Sequence, residues 1–119
     1  MLQKCPDSPN CICSMYKEDT SHYGEPIVPA VSLSKLQKVI SAYLKGNKRV
    51  EILKEESHYI HASFKVPFTP FIDDVEFYFS DSENLLHYRS ASRKGYGDLG
   101  VNKARINKIK KFLKGESLI

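Results

Sequence analysis

Cysteine is the residue type most apt for chemistry here, and three cysteines, Cys5, Cys11 and Cys13, crowd the turn-rich opening of the chain. A structural zinc site takes four ligands, usually as two close pairs of the C-x2-C kind. Here five residues separate the first two cysteines and one the last two, so no metal site is expected. A Cys5–Cys11 disulfide can form if the loop brings the two α-carbons into bridging range, leaving Cys13 over; the alternative is that all three are buried thiols. A thiol nucleophile needs a neighbouring base or a helix N-terminus to lower its pKa. His22, His58, His61 and His87 could supply the base, but no nucleophile motif surrounds Cys11 or Cys13.

A second constellation lies later, at Glu76, Arg89, Ser92, Arg93, Asp98, Asn102 and Arg105. Arg89 shares strand parity with His87 and opposes Leu86 and Tyr88. It should therefore point to the same side as Glu76 and form a cross-strand pair with it. Beyond Arg89, Ser90, Ser92 and Arg93 enter a segment with three glycines in six positions, Gly95 to Gly100, followed by a helical pattern with Asn102 as its expected N-cap. Backbone N–H groups, a helix start and a guanidinium fork can together gather an anion. Asp98 beside that helix start would repel the anion or else cap the helix itself, and a folded-loop latch of Asp98 with Arg93 or Arg105 is the alternative to a ligand site.

The elements that position these residues follow from periodicity. Four prolines, Pro6, Pro9, Pro26 and Pro29, break regular patterns in residues 1–31, which should form a long loop or arm packed on a domain at 32–119. Leu33, Leu36, Val39, Ile40, Tyr43 and Leu44 recur at helical spacing, with Ser32 or Ser34 as cap and Gly46 as stop. Period-two alternation then marks four strands: around Val50 and Ile52, from Ile60 to Val66, from Val75 to Phe79, and from Leu86 to Ser90. A last helix carries Ile106, Ile109 and Leu113 as its stripe, ends near Gly115 and bears Lys110, Lys111 and Lys114 late, where they suit the dipole. The order α-β-β-β-β-α predicts an α+β fold, a four-stranded antiparallel sheet with two helices on one face, the other face open or covered by the arm. Phe64, Val75, Phe77, Ile106 and Ile109 should be buried together.

The 119 residues suit one domain, with 41% hydrophobic and 27% charged residues, ordinary for a globular chain. The net charge of +4 is unevenly spread, acidic over 51–88 and basic over 89–119, which suggests segments that complement each other on folding. Nucleic acid is a poor candidate partner, because the seven tyrosines are scattered and no recognition motif joins them to the lysines. No apolar run is long enough to cross a bilayer, and the first residues lack the apolar core of a signal peptide.

Two segments resemble the domain-of-unknown-function family 1499, a bacterial and plastid group without an assigned activity. They are Cys5-Pro6-Asp7-Ser8-Pro9-Asn10-Cys11, and Asp73-Asp74-Val75-Glu76-Phe77 continued by the run from Arg89 to Asn102 with Arg105. Some members of that family are exported or membrane-anchored, so the resemblance leaves the compartment open. It directs attention to a working surface of Asn10, Cys11, Glu76, Arg89, Ser92, Arg93, Asp98, Asn102 and Arg105. The reading preferred from the residues is a non-enzymatic module, without cofactor, for a small anionic ligand or a protein partner. The alternative is a hydrolase using Cys11 with a histidine, or Glu76 with Arg89.

Overall fold

Alternation of apolar and polar residues decides the middle of the chain, and the computed structural model, which describes residues 1–119, places strands where that alternation lies. The elements are β1 (Cys11–Cys13), α1 (Leu33–Lys45), β2 (Val50–Glu56), β3 (Tyr59–Lys65), β4 (Ile72–Ser80), β5 (Leu85–Ser92) and α2 (Val101–Gly115). The strands form one antiparallel sheet in the order β1-β5-β4-β3-β2.

The fold is α+β with two helices and an antiparallel sheet, but the sheet has five strands rather than four. A strand also precedes the first helix, so the order is β-α-β-β-β-β-α. The added strand comes from the proline-rich arm, where Cys11 pairs with Ala91 and Cys13 with Arg89 along the outer edge of β5. Three residues are too few to display a period of two, and a free sheet edge supplies the pairing that local sequence does not specify.

Helix α1 forms because Ser32 caps it, its hydroxyl accepting from Lys35 N–H at 3.1 Å, and because Leu33, Leu36, Ile40 and Leu44 share one buried stripe. The β2–β3 hairpin carries a register shift between Ile52 and Lys54, which leaves Leu53 exposed. Leu36, Ile40 and Leu44 of α1 and Ile106, Ile109 and Leu113 of α2 pack on Ile60, Ala62, Phe64, Val75, Phe77, Phe79, Leu86 and Tyr88 of the sheet. The five residues expected to be buried together all lie in this core.

The opposite face is covered near β5 by the arm, where Leu2, Cys5, Cys11, Cys13 and Ala91 form a second cluster edged by Met15, Tyr16, Tyr59 and Tyr78. Helix α2 departs from expectation at both ends. Its N-cap is Gly100, in the left-handed region at φ 79°, and Asn102 lies inside the first turn. Gly115 is its last residue rather than the stop; Ser117, at φ 58°, turns Leu118 back into the core. No helix is long and apolar enough to cross a membrane.

Candidate functional site

The site is built on a neighbouring pair, Asp73 and Asp74, which strand parity sends to opposite faces of β4. On the helix side Asp73 is 1% exposed, and its Oδ2 accepts from Arg105 Nη2 at 2.7 Å. Arg105 also donates through Nη1 to Ser90 Oγ at 3.1 Å and Asn102 Oδ1 at 2.8 Å, while its guanidinium stacks 4.8 Å from the centre of the Phe64 ring. Asn102 joins three segments. Its Oδ1 accepts from Ser90 Oγ at 2.7 Å, and its Nδ2 is shared among Asn10 O at 3.2 Å, Ser92 Oγ at 3.0 Å and Asp98 Oδ2 at 2.7 Å. Asn10 in turn donates through Nδ2 to Gly95 O at 2.8 Å, which ties the glycine loop to the arm.

Asp98 caps α2 from outside it. Its Oδ1 accepts from Gly100 N–H at 2.8 Å and its Oδ2 from Asn102 N–H at 3.1 Å, so a carboxylate of the chain already occupies the positive helix start. Burial would raise its pKa, yet the hydrogen bonds from the Asn102 side chain and from the Asn102 and Gly100 backbones hold it below the ordinary value. Neither arginine considered as its latch reaches it. Arg105 goes to Asp73, and Arg93 grips Asp74 on the other face, with Nε 2.9 Å from Oδ2 and Nη2 3.0 Å from Oδ1. His61 Nε2 lies 2.8 Å from the same Oδ1, and these partners outweigh burial to keep the Asp74 carboxyl below its usual range.

The nine residues singled out from sequence therefore separate into groups. Asn10, Ser92, Asp98, Asn102 and Arg105 share one network. Arg93 faces away from it. Glu76 and Arg89 form their cross-strand pair on the face opposite the helices, at 3.8 Å, and Tyr59 donates its hydroxyl to Glu76 Oε2 at 2.5 Å. Burial first, and then the Glu76 carboxylate, push the Tyr59 hydroxyl well above its usual pKa. Cys11 is joined to Cys5 with 5.8 Å between α-carbons, so its sulfur is not a free nucleophile. The Cys13 thiol is buried and its pKa is raised chiefly by that burial, the reverse of activation. Titration of free thiols in the denatured, unreduced protein should give one equivalent, from Cys13; three equivalents would mean that packing alone holds the opening loop.

Two hollows flank the segment Gly97 to Gly100. The larger, about 630 Å³, runs between residues 20–25 and α2, with Cys11, Asp98 and Asn102 at one end and Lys103, Asn107 and Lys110 along the helix. Tyr88 forms part of its lining, and its hydroxyl donates to Glu25 O at 2.8 Å. A β-carbon on Gly24 would lie 2.4 Å from that hydroxyl, so the close approach requires glycine. Lys110 Nζ donates to Glu25 O and to the Tyr88 hydroxyl, each at 3.1 Å, and sits 5.0 Å from the centre of the Tyr88 ring. Burial lowers its pKa against the opposing pull of Glu25. His22 also lines this hollow, its two ring nitrogens facing acceptors, Asp19 at 2.9 Å and Ser8 O at 2.8 Å. Burial works against the imidazolium, but those acceptors raise its pKa on balance. The smaller hollow, about 230 Å³, lies under the loop, with Asp73 and Ser92 in its lining.

Sequence reasoning missed Asp73, Tyr88 and Lys110 as parts of the site, and it placed Ser90 at the entry to the glycine loop rather than against Asn102 and Arg105. Asp73 and Ser90 had a readable signal, since each is polar at a strand position of apolar parity, and such a residue needs a buried partner. Lys110 had none, because as one of a run of lysines its burial depends on where residues 20–25 fold.

The geometry thus defines a class: an α+β domain whose final strand-to-helix crossover is sewn by side chains to an N-terminal arm that is itself an edge strand. The chain belongs to the family described as protein of unknown function DUF1499, whose sequence model matches residues 1–113. No curated protein and no solved structure is significantly similar to it.

Proposed function

We propose that the domain is a binding module for a small anionic ligand, held in the hollow between residues 20–25 and α2. One observation carries this reading: the half-buried Lys110 ammonium meets only uncharged oxygens there, the Glu25 carbonyl and the Tyr88 hydroxyl, with no carboxylate in ion-pair contact. A half-buried cation held by neutral groups keeps its charge available for a charge-assisted hydrogen bond to a carboxylate or phosphate. Lys103 stands one helical stretch nearer the α2 start on the same hollow. The Asp98 carboxylate beside it is committed to the helix cap and the Asn102 amide. The arginines do not supply the charge, because Arg89, Arg93 and Arg105 are paired with Glu76, Asp74 and Asp73.

Sulfate and citrate, each titrated against chloride at matched ionic strength, should raise the thermal midpoint of the protein saturably. Lys110→Met should remove that increment and Lys103→Gln reduce it, whereas Arg93→Ala should leave it. An increment that survives Lys110→Met, or none in the unaltered protein, rules the reading out.

A further inference from the structure

We propose that the outer groove between α1 and α2 docks an acidic segment of a protein partner, one in which an aromatic or aliphatic side chain is flanked by carboxylates. The first observation is charge. Helix α1 carries three lysines and α2 five lysines and one arginine, and neither helix contains an aspartate or a glutamate. Acids one turn away from lysines would stabilise such helices, whereas Lys110 and Lys114 repel each other at i,i+4. The acidic stretch 51–88 does not neutralise this layer: from the helices only Lys45 and Arg105 reach carboxylates, those of Glu55 and Asp73. The lysines late in each helix suit its dipole. Lys35 does not, because it stands in the first turn of α1, at the positive end.

The second observation is shape. An open groove of about 820 Å³ lies between the helices, with Val39, Tyr43 and Phe112 in its lining. The Tyr43 and Phe112 rings meet with their centres 4.5 Å apart, and all three apolar side chains are only half-buried. Lys35, Lys38, Lys48 and Lys108 line the same groove, each of them exposed, and no acid does. Half-open rings edged by cations are the complement of an apolar anchor set between carboxylates, the pattern by which grooves read a docking segment. A bilayer surface would meet the lysine tips before the rings between them, and a nucleic acid duplex would bring phosphates but no apolar side chain. An acidic segment supplies both the charge and the anchor.

The test is fluorescence anisotropy with the labelled peptide Glu-Glu-Leu-Phe-Glu-Glu-Leu-Phe-Glu-Glu, beside one version with serine for leucine and phenylalanine and one with lysine for glutamate. The parent peptide should bind saturably with a dissociation constant on the order of 100 µM. The serine version should bind about tenfold more weakly, and the lysine version should not bind. Lys108→Glu, an exposed change on the groove, should weaken the parent peptide at least about tenfold. Ala42→Gln separates shape from charge: Ala42 is exposed and lines the groove, so the longer side chain should obstruct the anchor and weaken binding several-fold without lowering the urea midpoint. Equal binding of the serine version, undiminished binding by Lys108→Glu or Ala42→Gln, tighter binding of a DNA duplex or of phosphatidylglycerol vesicles, or no saturable response would each overturn the proposal. Lys110 faces the hollow on the other flank of α2, so Lys110→Met should leave the peptide bound while it removes the sulfate response, and failure here and failure of the anion reading are told apart.

Discussion

Replacing Arg105 by alanine should destabilise the domain by about 3 to 5 kcal/mol, the loss seen when one partner of a buried ion pair is removed. The guanidinium is 10% exposed and the Asp73 carboxylate 1%, so the substitution strands a charge with almost no water to accept it. It also removes donors from Ser90 Oγ and Asn102 Oδ1 and the stack on Phe64, loosening the crossover at several points together. Urea unfolding followed by far-ultraviolet circular dichroism checks this, through a lower midpoint at an unchanged slope. Arg93→Ala is the internal control. Its pair with Asp74 is bidentate, but Arg93 is 43% exposed and Asp74 26%, so solvent screening should hold the loss to about 1 kcal/mol or less. Equal losses from the two substitutions would show that burial does not decide the worth of these pairs.

That contrast also marks where the sequence was legible. The helix α1, the four strands from Val50 to Ser92 and the Glu76–Arg89 pair follow from periodicity, because burial on one face of a sheet imposes a period of two on local sequence. The strand Cys11–Cys13 was not legible: its pairing depends on a β5 edge some eighty residues away in the chain. Partner choice among the acids at the site was not legible either. Asp98, Arg93 and Arg105 lie close in sequence and invite a local latch; of the two readings of Asp98 the helix cap is the one found, completed by the Asn102 amide, while the arginines turn to the two sides of β4. Asp73-Asp74 was the available clue, since adjacent aspartates in a strand must serve opposite faces and each needs its own cation. The hollows follow from the same long-range packing. One requires residues 20–25 laid beside α2, and the other requires the loop after β5 to pass over Asp73.

Phe77→Ala should cost about 3 to 5 kcal/mol as well, through a cavity rather than a stranded charge. Phe77 is fully buried at the centre of β4, its register partners being Ile60 on β3 and Tyr88 on β5, both equally buried. The helices cover it on the open side, so little can relax into the space a phenyl ring leaves. Phe77→Leu, which keeps most of the volume, should lose roughly half as much or less. Chemical unfolding of both variants gives the comparison, and a Phe77→Ala loss below about 1 kcal/mol would place the residue outside a tight core. The substitution also probes how far the sheet positions the larger hollow. Tyr88 packs in the same core as Phe77, while its hydroxyl meets Lys110 Nζ and Glu25 O. A ring that shifts toward the Phe77 cavity would draw that hydroxyl from Lys110, so Phe77→Ala should weaken sulfate binding along with the fold, and Phe77→Leu should weaken it less. Arg93→Ala, on the far face, should leave sulfate binding intact at whatever small stability it forfeits, which separates a hollow positioned by the core from one that merely reports on the global stability of the chain.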